Sequence, residues 1–169
     1  MINNEFNAAV RSQFAAALDM LQQTIERCPD ALWEDSAAPN RFWQVTYHTL
    51  FYLHLYLQPS LKDFVVWPRH IREYELLSAP PWAADKKPHT GQPYSKQDLL
   101  AYIVFCREEI DRRTQSLDIE APSGFDWLPF GKLELQFYIL RHLQQHIGEL
   151  SGRLLTEARV EIDWVGQKA

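Results

Sequence analysis

The chain has 169 residues, a usual length for one domain with a substantial core. Hydrophobic residues make up 46% of the chain, aromatic residues make up 13%, and there are only six glycines. This composition is typical of a compact, helix-rich protein and excludes a disordered one. The formal net charge is −5 and Lys and Arg form no basic run, so we expect no nucleic-acid partner.

Cysteine usage and hydropathy indicate the compartment in which the protein works. Cys28 and Cys106 lie far apart and form no C-x-x-C motif, so two reduced, partly buried thiols are expected in preference to a disulfide. The first residues, MINNEFNAAVRSQF, lack the apolar stretch of a signal peptide. No apolar run reaches the roughly 18 residues of a membrane span. We therefore expect a cytoplasmic protein without a membrane partner.

The first helix is predicted over about residues 4–28. Apolar side chains recur there every three or four residues, which is the spacing of one helix face; they are Phe6, Val10, Phe14, Leu18, Leu21 and Ile25. Pro29 ends the helix, because the residue before a proline avoids the α-helical backbone conformation. Residues 29–40 contain two prolines and are predicted to be a loop.

The second helix is predicted over residues 41–57 and is stopped by Pro59. Eleven of the 16 residues 42–57 are apolar or aromatic, and a helix that is apolar nearly all round belongs in the middle of a bundle. His48 lies on an apolar face of this helix. His54 is about 120° away around the helix axis and cannot share that face.

Residues 58–94 contain six prolines and form a long connection, in which a short helical piece at about 71–77 is predicted. A connection of this length in a compact domain is often functional, or it covers one end of the fold. His70 and His89 lie in this connection, and both are predicted to be surface residues.

The third helix is predicted over about residues 95–117 and begins at the capping arrangement Ser95-x-x-Asp98. The charged residues within 107–113 are mixed in sign and are expected to form a solvated helix face. Residues 118–131 contain two prolines and two glycines, so a loop is predicted. Its aromatic residues are expected to pack on the core in preference to lining a pocket; they are Phe125, Trp127 and Phe130.

The fourth helix is predicted over residues 132–158 and is followed by a short irregular tail. Four long helices in a single domain, residues 1–169, indicate an all-α four-helix bundle with long connections after the second and third helices. Bundles of this kind build metal sites from side chains that point inward from facing helices.

His142 and His146 are the most informative residues of the fourth helix. Being four residues apart, they lie on one helix face, one turn apart, and they continue the apolar stripe of Leu135, Ile139 and Leu150. Histidines on such a stripe should point inward, where an imidazole needs a partner. The H-x-x-x-H spacing alone is more often a pair of hydrogen-bonded core or surface residues than a metal site.

A third ligand is available if the second helix packs beside the fourth. His48 would then meet His142 and His146 at mid-bundle. Three neutral imidazoles suit Zn²⁺, and Ni²⁺, Cu²⁺ and Fe²⁺ also accept imidazole; of these ions we expect Zn²⁺ or Ni²⁺. Three protein ligands leave one coordination position open, which is the pattern of a catalytic site. The alternative is three separate hydrogen-bonded histidines.

The sequence resembles the DinB/YfiT-like superfamily of bacterial four-helix-bundle metalloproteins. The resemblance rests on FWQVxYHxL at residues 42–50 and on RHLxxHxGEL at residues 141–150. It implies an up-down-down-up order of helices, a divalent metal ion held by His48, His142 and His146, and frequent homodimerisation. It also implies chemistry, because characterised relatives include thiol S-transferases and isomerases that use bacillithiol, mycothiol or glutathione.

Glu149 departs from the family pattern, since relatives often carry Gln at this position. Its carboxylate, three residues after His146, would be a hydrogen-bond partner for an imidazole N–H, an additional metal ligand, or a solvent-facing salt-bridge residue. Together with Gln44, Tyr47 and Tyr52, it is a candidate to position a substrate.

The sequence therefore favours an enzyme in which a divalent metal ion activates a low-molecular-weight thiol, or water, for attack on a small-molecule substrate. Thiol S-transfer and hydrolysis both stay open. The alternative is a non-catalytic metal-binding or dimeric stress-response bundle, in which the metal ion is structural or opportunistic.

Overall fold

The structure of the protein is a computed structural model that describes residues 2–79, 86, 88 and 91–168. Within these residues it contains five α-helices and no β-strand, so the predicted all-α class is confirmed. None of the described helices has both the length and the apolar character needed to cross a membrane. The helices are α1 (Ile2–Arg27), α2 (Asp30–Trp33), α3 (Phe42–Leu57), α4 (Lys96–Gln115) and α5 (Lys132–Arg153).

The four long helices, α1, α3, α4 and α5, lie within a few residues of their predicted positions. At the start of α4 the Ser95 side chain accepts a hydrogen bond from Asp98 N at 3.1 Å, as the capping pattern predicts. The chain after α5 continues as a π-helical segment, Leu154–Ala158, and not as the predicted α-helix. Arg159 then adopts a left-handed backbone conformation, which terminates the helix.

The short helix α2 was not predicted, because residues 29–40 read as a loop. Leu32 N and Trp33 N donate to Pro29 O at 3.0 and 3.1 Å, and Trp33 Nε1 donates to Tyr94 O at 2.9 Å. A helix of this length is not stable alone, so the buried Trp33 side chain and its distant partner stabilise it. Four residues are too few for a recognisable hydrophobic period.

The predicted helical piece at residues 71–77 is wrong. These residues form turns, with Tyr74 N donating to Ile71 O at 3.2 Å and Leu76 N donating to Glu73 O at 3.3 Å. Glu73 has a φ of 70°, a left-handed conformation that interrupts any right-handed helix. The helical turn of this connection is instead a 3-10 turn at Leu61–Asp63.

Each long helix packs against two others. Helix α1 contacts α4 and α5, and α3 contacts the same two helices, so α1 and α3 lie on opposite sides of the core. The space between the helices is filled by fully buried large side chains, among them Phe14, Leu21, Trp43, Tyr47, Leu50, Leu99 and Tyr102. This packing brings one face of α3 against α5, as a site shared by these helices requires.

The connection between α3 and α4 lies against the core through its aromatic residues. Trp67 is buried, and its ring stacks on the ring of Tyr102 with centroids 4.4 Å apart. The hydroxyl of the buried Tyr94 donates to Arg69 O at 2.5 Å. These anchors hold the connection over the helices as a cover, one of the two roles expected for it.

His70 is not the surface residue that the sequence predicts. It is half-buried, its Nδ1 lies 2.7 Å from the phenol oxygen of Tyr47, and its ring stacks on Phe51 with centroids 5.5 Å apart. The prediction was wrong because position in a loop says nothing about contacts with a distant helix. His89 lies outside the described residues.

The predicted solvated face of α4 is wrong at Glu109, which is only 3% exposed. Its carboxylate accepts hydrogen bonds from Gln58 Nε2 at 3.1 Å and from Arg113 Nε at 3.3 Å, and it also pairs with Arg112. The charge pattern of one helix cannot show that a neighbouring helix covers one of its carboxylates.

The loop at residues 118–131 is anchored to the end of α3. Phe125 is buried and Phe130 is packed against the core, as predicted, whereas Trp127 is 45% exposed; all three also line a cavity, which was the less favoured alternative. Gly124 has a φ of 87°, and a Cβ there would lie 2.0 Å from Pro59 O, so only glycine allows this close approach. Leu61 N donates to Gly124 O at 3.3 Å across the same contact.

Residues 160–168, the described part of the predicted tail, have no regular structure, as predicted, and lie along α1. Arg27 donates to Glu161 O at 2.8 Å, and Gln23 Nε2 donates to Asp163 O at 3.2 Å. These bonds fasten the end of the chain to the first helix.

The two cysteines, Cys28 and Cys106, are free and buried, as predicted. Burial raises the pKa of Cys28 to about 12 and also raises the pKa of Cys106. Since the thiolate is the nucleophilic form, neither side chain supplies a nucleophile at neutral pH.

Candidate metal centre

His48, His142 and His146 come together where α3 packs against α5. The ring centroids are 5.1 Å apart for His48 and His142, 4.8 Å for His48 and His146, and 4.7 Å for His142 and His146. Each residue offers one ligand atom, and these three atoms lie within 4.8 Å of one another. The structure thus brings together the histidines that the sequence predicts to meet.

This spacing fits a single divalent ion. Nitrogen ligands about 2.0–2.1 Å from an ion with tetrahedral angles are about 3.3 Å apart. The Nε2 atoms of His48 and His142 are 3.1 Å apart, close to that value. The largest separation in the set, up to 4.8 Å, would shorten by roughly 1.5 Å on binding, which small side-chain rotations can supply.

Hydrogen bonds at Nδ1 orient two of the three imidazoles. His48 Nδ1 lies 2.6 Å from Glu75 O, and His146 Nδ1 lies 2.9 Å from Glu149 Oε2. Both partners are acceptors, so each Nδ1 carries the proton and donates it. The Nε2 atom of each ring is then left with a free lone pair, the form that binds a metal ion.

Burial keeps His48 and His142 neutral. Desolvation is the main cause that lowers the pKa of His48 to about 3; the Glu75 carbonyl acts against it, and His142 and His146 act with it. Desolvation, with a contribution from His146, lowers the pKa of His142 to about 4. Both rings are therefore neutral at neutral pH. Because His48 carries its proton on Nδ1, the contact between the two Nε2 atoms is a hydrogen bond that His142 donates, and a metal ion bound there would replace that proton.

Glu149 takes the first of the roles considered for it, a hydrogen-bond partner of an imidazole N–H. Its side chain is 43% exposed and bonds His146 Nδ1. It does not belong to the group of ligand atoms formed by the three histidines. A carboxylate in this position makes the imidazole a stronger donor to a metal ion and holds the ring in place.

We expect Glu149→Gln to weaken Zn²⁺ binding by about 10-fold to 100-fold, because the amide lacks the negative charge that supports His146. A competition titration with a chromophoric chelator measures the affinity. Glu134→Gln, an exposed position on the same helix, is the matched control and should leave the affinity unchanged. Equal affinities for wild type and Glu149→Gln would show that the carboxylate plays no part at the site.

Glu75 is a residue of the site that sequence analysis missed. Its backbone oxygen accepts the His48 hydrogen bond, while its side-chain Oε2 is buried without any hydrogen-bond partner. Its charge adds to burial in raising the pKa of Tyr52 to about 12. A buried carboxylate oxygen without a partner is costly. No periodicity or motif in the connection marks it, so the sequence held no signal for it.

Tyr52 forms part of the wall of the site. Its ring centroid lies 4.7 Å from that of His48 and 5.7 Å from that of His142. It therefore stays a candidate to position a substrate.

Tyr47 and Gln44, the other two candidates, make their hydrogen bonds elsewhere. The fully buried Tyr47 bonds His70, as described above. Gln44 Oε1 accepts a hydrogen bond from Arg41 N at 3.0 Å and so caps the start of α3. Their position close to His48 in the sequence suggested a role that their contacts do not support.

His54 stays apart from the cluster, as predicted. Its Nδ1 lies 3.1 Å from the phenol oxygen of Tyr102, and the residue is 2% exposed. Burial, with smaller contributions from Arg113 and Arg112, lowers its pKa to about 4. His54 is therefore a buried neutral histidine of the core.

We expect His54 to make the protein sensitive to acid. The unfolded chain protonates this histidine near pH 6.5 and the folded chain only near pH 4, so between these values the unfolded state binds more protons. The contribution of neutral His54 to the free energy of unfolding is present above pH 6.5. It is lost as the pH falls, by about 2 kcal/mol between pH 7 and pH 5. Denaturant unfolding of metal-free wild type and His54→Asn at both pH values measures the difference. The same pH dependence in both proteins would contradict this assignment.

The centre thus combines three imidazoles, two of them oriented through Nδ1, with an aromatic wall at Tyr52. Such a donor set suits a divalent cation and leaves a coordination position open. In comparisons with protein-family models, curated proteins and solved structures, the chain matches none of them.

Proposed function

We propose that the protein is an enzyme that holds a divalent cation, Zn²⁺ or Ni²⁺, at His48, His142 and His146. The proposal rests on the 3.1 Å approach of two imidazole Nε2 atoms from separate helices, with the third ring beside them. A divalent cation bound there lowers the pKa of a thiol or water in the open position and supplies a nucleophile near neutral pH. The substrate is a small electrophilic molecule.

The chain's own residues would complete the site around that nucleophile. Hydrogen bonds to Glu75 O and to Glu149 hold the rings of His48 and His146 in their orientations. The Tyr52 ring would bound the substrate on one side. Glu75 Oε2, the buried acceptor without a partner, would accept a hydrogen bond from the thiol or water and orient it.

Two reactions fit this arrangement. One is S-transfer from a low-molecular-weight thiol of the bacillithiol, mycothiol or glutathione type, and the other is hydrolysis. We further propose that the chain is a member of the DinB/YfiT-like superfamily, with its helices in up-down-down-up order, and that it forms a homodimer. The motifs at residues 42–50 and 141–150 support this membership, as does the packing of α3 against α4 and α5.

A non-catalytic metal-binding protein is the second candidate. One observation favours it: His146 is only 7% exposed and the Tyr52 ring packs against His48 and His142, so access of a substrate to the three rings is limited. In this alternative the metal ion would only stabilise the packing of α3 on α5.

Metal analysis followed by an activity screen tests the proposal. We expect purified protein to carry close to one divalent ion per chain. Low-molecular-weight thiols paired with electrophiles, and a panel of esters and amides, should reveal turnover that stops on chelation and returns when the ion is restored. A metal-loaded protein that turns over no compound of the panel, and whose melting temperature falls sharply on chelation, would support the structural alternative.

A variant at Glu75 separates catalysis from metal binding. Glu75→Gln should keep the ion and the melting temperature but lower kcat by at least about 100-fold, in the range typical of a lost proton acceptor. Glu73→Gln, two residues earlier in the same connection, is the matched control and should keep wild-type activity. Unchanged turnover in Glu75→Gln would remove this residue from the proposed mechanism.

A further inference from the structure

A cavity of about 390 Å³ lies between the ends of α3 and α4 and the first turn of α5. Two basic side chains line it, Lys132 from α5 and Arg113 from α4, and much of the remaining lining is apolar, including Leu57 and Leu117. Lys132 precedes His142 by ten residues, about 15 Å along the helix, and none of the three histidines lines the cavity. It is therefore separate from the metal centre.

Lys132 is a buried cation that forms no ion pair among the described residues. It is 8% exposed, its Nζ donates to Gln58 O at 2.8 Å, and its ammonium lies 5.4 Å from the centroid of the Phe125 ring. These contacts satisfy part of its hydrogen-bonding capacity, but neither partner carries a negative charge. Burial and the nearby Arg113 lower the pKa of Lys132 to about 8, against the raising effect of Asp63.

The acidic groups in this region are engaged elsewhere. Glu109 is shared by Arg112 and Arg113, so one carboxylate faces two guanidinium groups. Asp118 also lines the cavity, but it is exposed, and its carboxylate accepts a hydrogen bond from Glu120 N at 3.1 Å. Asp63, whose charge raises the pKa of Lys132, is exposed and accepts a hydrogen bond from Ser60 Oγ at 2.6 Å. Among the described residues, no carboxylate forms an ion pair with the ammonium of Lys132.

We propose that this cavity is a second binding site, which takes a small carboxylate with an apolar body. The carboxylate would pair with Lys132, and the body would pack against the apolar lining beside Tyr56. A volume of about 390 Å³ lies in the range of small-molecule sites, about 300–1,000 Å³. Gln136 also lines the cavity; its Nε2 donates to Lys132 O at 2.9 Å, and its second N–H would be available to the other carboxylate oxygen.

The charge of the cavity favours a monoanion. Arg113 already pairs with Glu109 and also donates to Gln58 Oε1 at 2.5 Å, so Lys132 is the cation left to be neutralised. A carboxylate matches that single charge, whereas a doubly charged phosphate would leave a second negative charge buried without a partner.

Matched acid and amide pairs test this site on the wild-type protein. Benzoate, phenylacetate and hexanoate are each titrated alongside their neutral amides by calorimetry, and ¹H–¹⁵N NMR locates the binding. We expect at least one acid to bind saturably, about tenfold or more tighter than its amide, with shifts at the residues lining the cavity. Absence of binding by all acids, equal binding of acid and amide, or shifts confined to the metal centre would each overturn the proposal.

Lys132→Met removes the charge and keeps the aliphatic stem. Its affinity for the acid should fall by about tenfold or more, while its affinity for the amide stays unchanged. Lys62→Met, an exposed lysine in the 3-10 turn, is the matched control and should bind as wild type does. An unchanged acid affinity in a folded Lys132→Met would overturn the role of this lysine. If that variant does not fold, the acid and amide comparison on wild type decides the question alone.

Discussion

Replacement of His142 by Ala is expected to reduce the affinity for Zn²⁺ by more than about 100-fold. Loss of a hydrogen-bond partner of a metal ligand costs up to about 100-fold, and loss of the ligand itself should cost more. The substitution removes one of three donors, and its Nε2 lies 3.1 Å from that of His48. Metal content after dialysis and a competition titration with a chelator measure the effect. His54→Asn removes a buried histidine of α3 that lies outside the cluster, and this control should bind the ion as wild type does.

Thermal and chemical unfolding give a second measure of the same prediction. An ion that binds only the folded chain stabilises it by about 2.7 kcal/mol at 100 times its dissociation constant. Wild type should show this stabilisation, and His142→Ala should show less than about 0.4 kcal/mol at the same ion concentration. Equal stabilisation of both proteins would mean that the ion binds elsewhere, and the three-histidine centre would then be rejected.

Replacement of Glu109 by Ala is expected to lower the free energy of unfolding by about 3 kcal/mol. This value is at the low end of the range for breaking a buried ion pair, because the partner Arg113 is partly solvated. The carboxylate is 3% exposed and bonds both Gln58 and Arg113. Without it, Arg113 keeps a partly buried charge with no acid beside it, and the Gln58 amide loses an acceptor. The well-exposed Arg112 side chain adds little, because solvent screens its charge.

Urea unfolding at neutral pH measures the effect of the Glu109 substitution. Glu108→Ala, the exposed neighbour on the same helix, is the matched control and should change stability by less than about 0.5 kcal/mol. If the two substitutions lower the free energy of unfolding by the same amount, the buried network at the end of α3 would not contribute to stability. That result would also remove the reason for treating Lys132 as the unbalanced cation of the neighbouring cavity.

Local patterns were enough for the long helices, because their signals lie within one turn of the chain. Proline stopped the predicted helices near Arg27 and Leu57, and Ser95 with Asp98 marked the start of α4. The same helical period placed His142 and His146 on one face. Residues whose environment depends on distant parts of the chain were misread. His70 is covered by contacts with α3, and Glu109 is buried by Gln58 and the arginines of its own helix.

By itself, the sequence determined the all-α class, the places of the four long helices and the two inward faces that carry the histidines. It could do so because hydrophobic period, caps and prolines act over a few residues. Only the tertiary structure decided that those faces meet with two Nε2 atoms 3.1 Å apart. It also decided that the Glu75 carbonyl accepts the hydrogen bond of His48 Nδ1, and that Lys132 is buried without an ion pair among the described residues. These features arise from packing between segments far apart in the chain, and no local pattern encodes them.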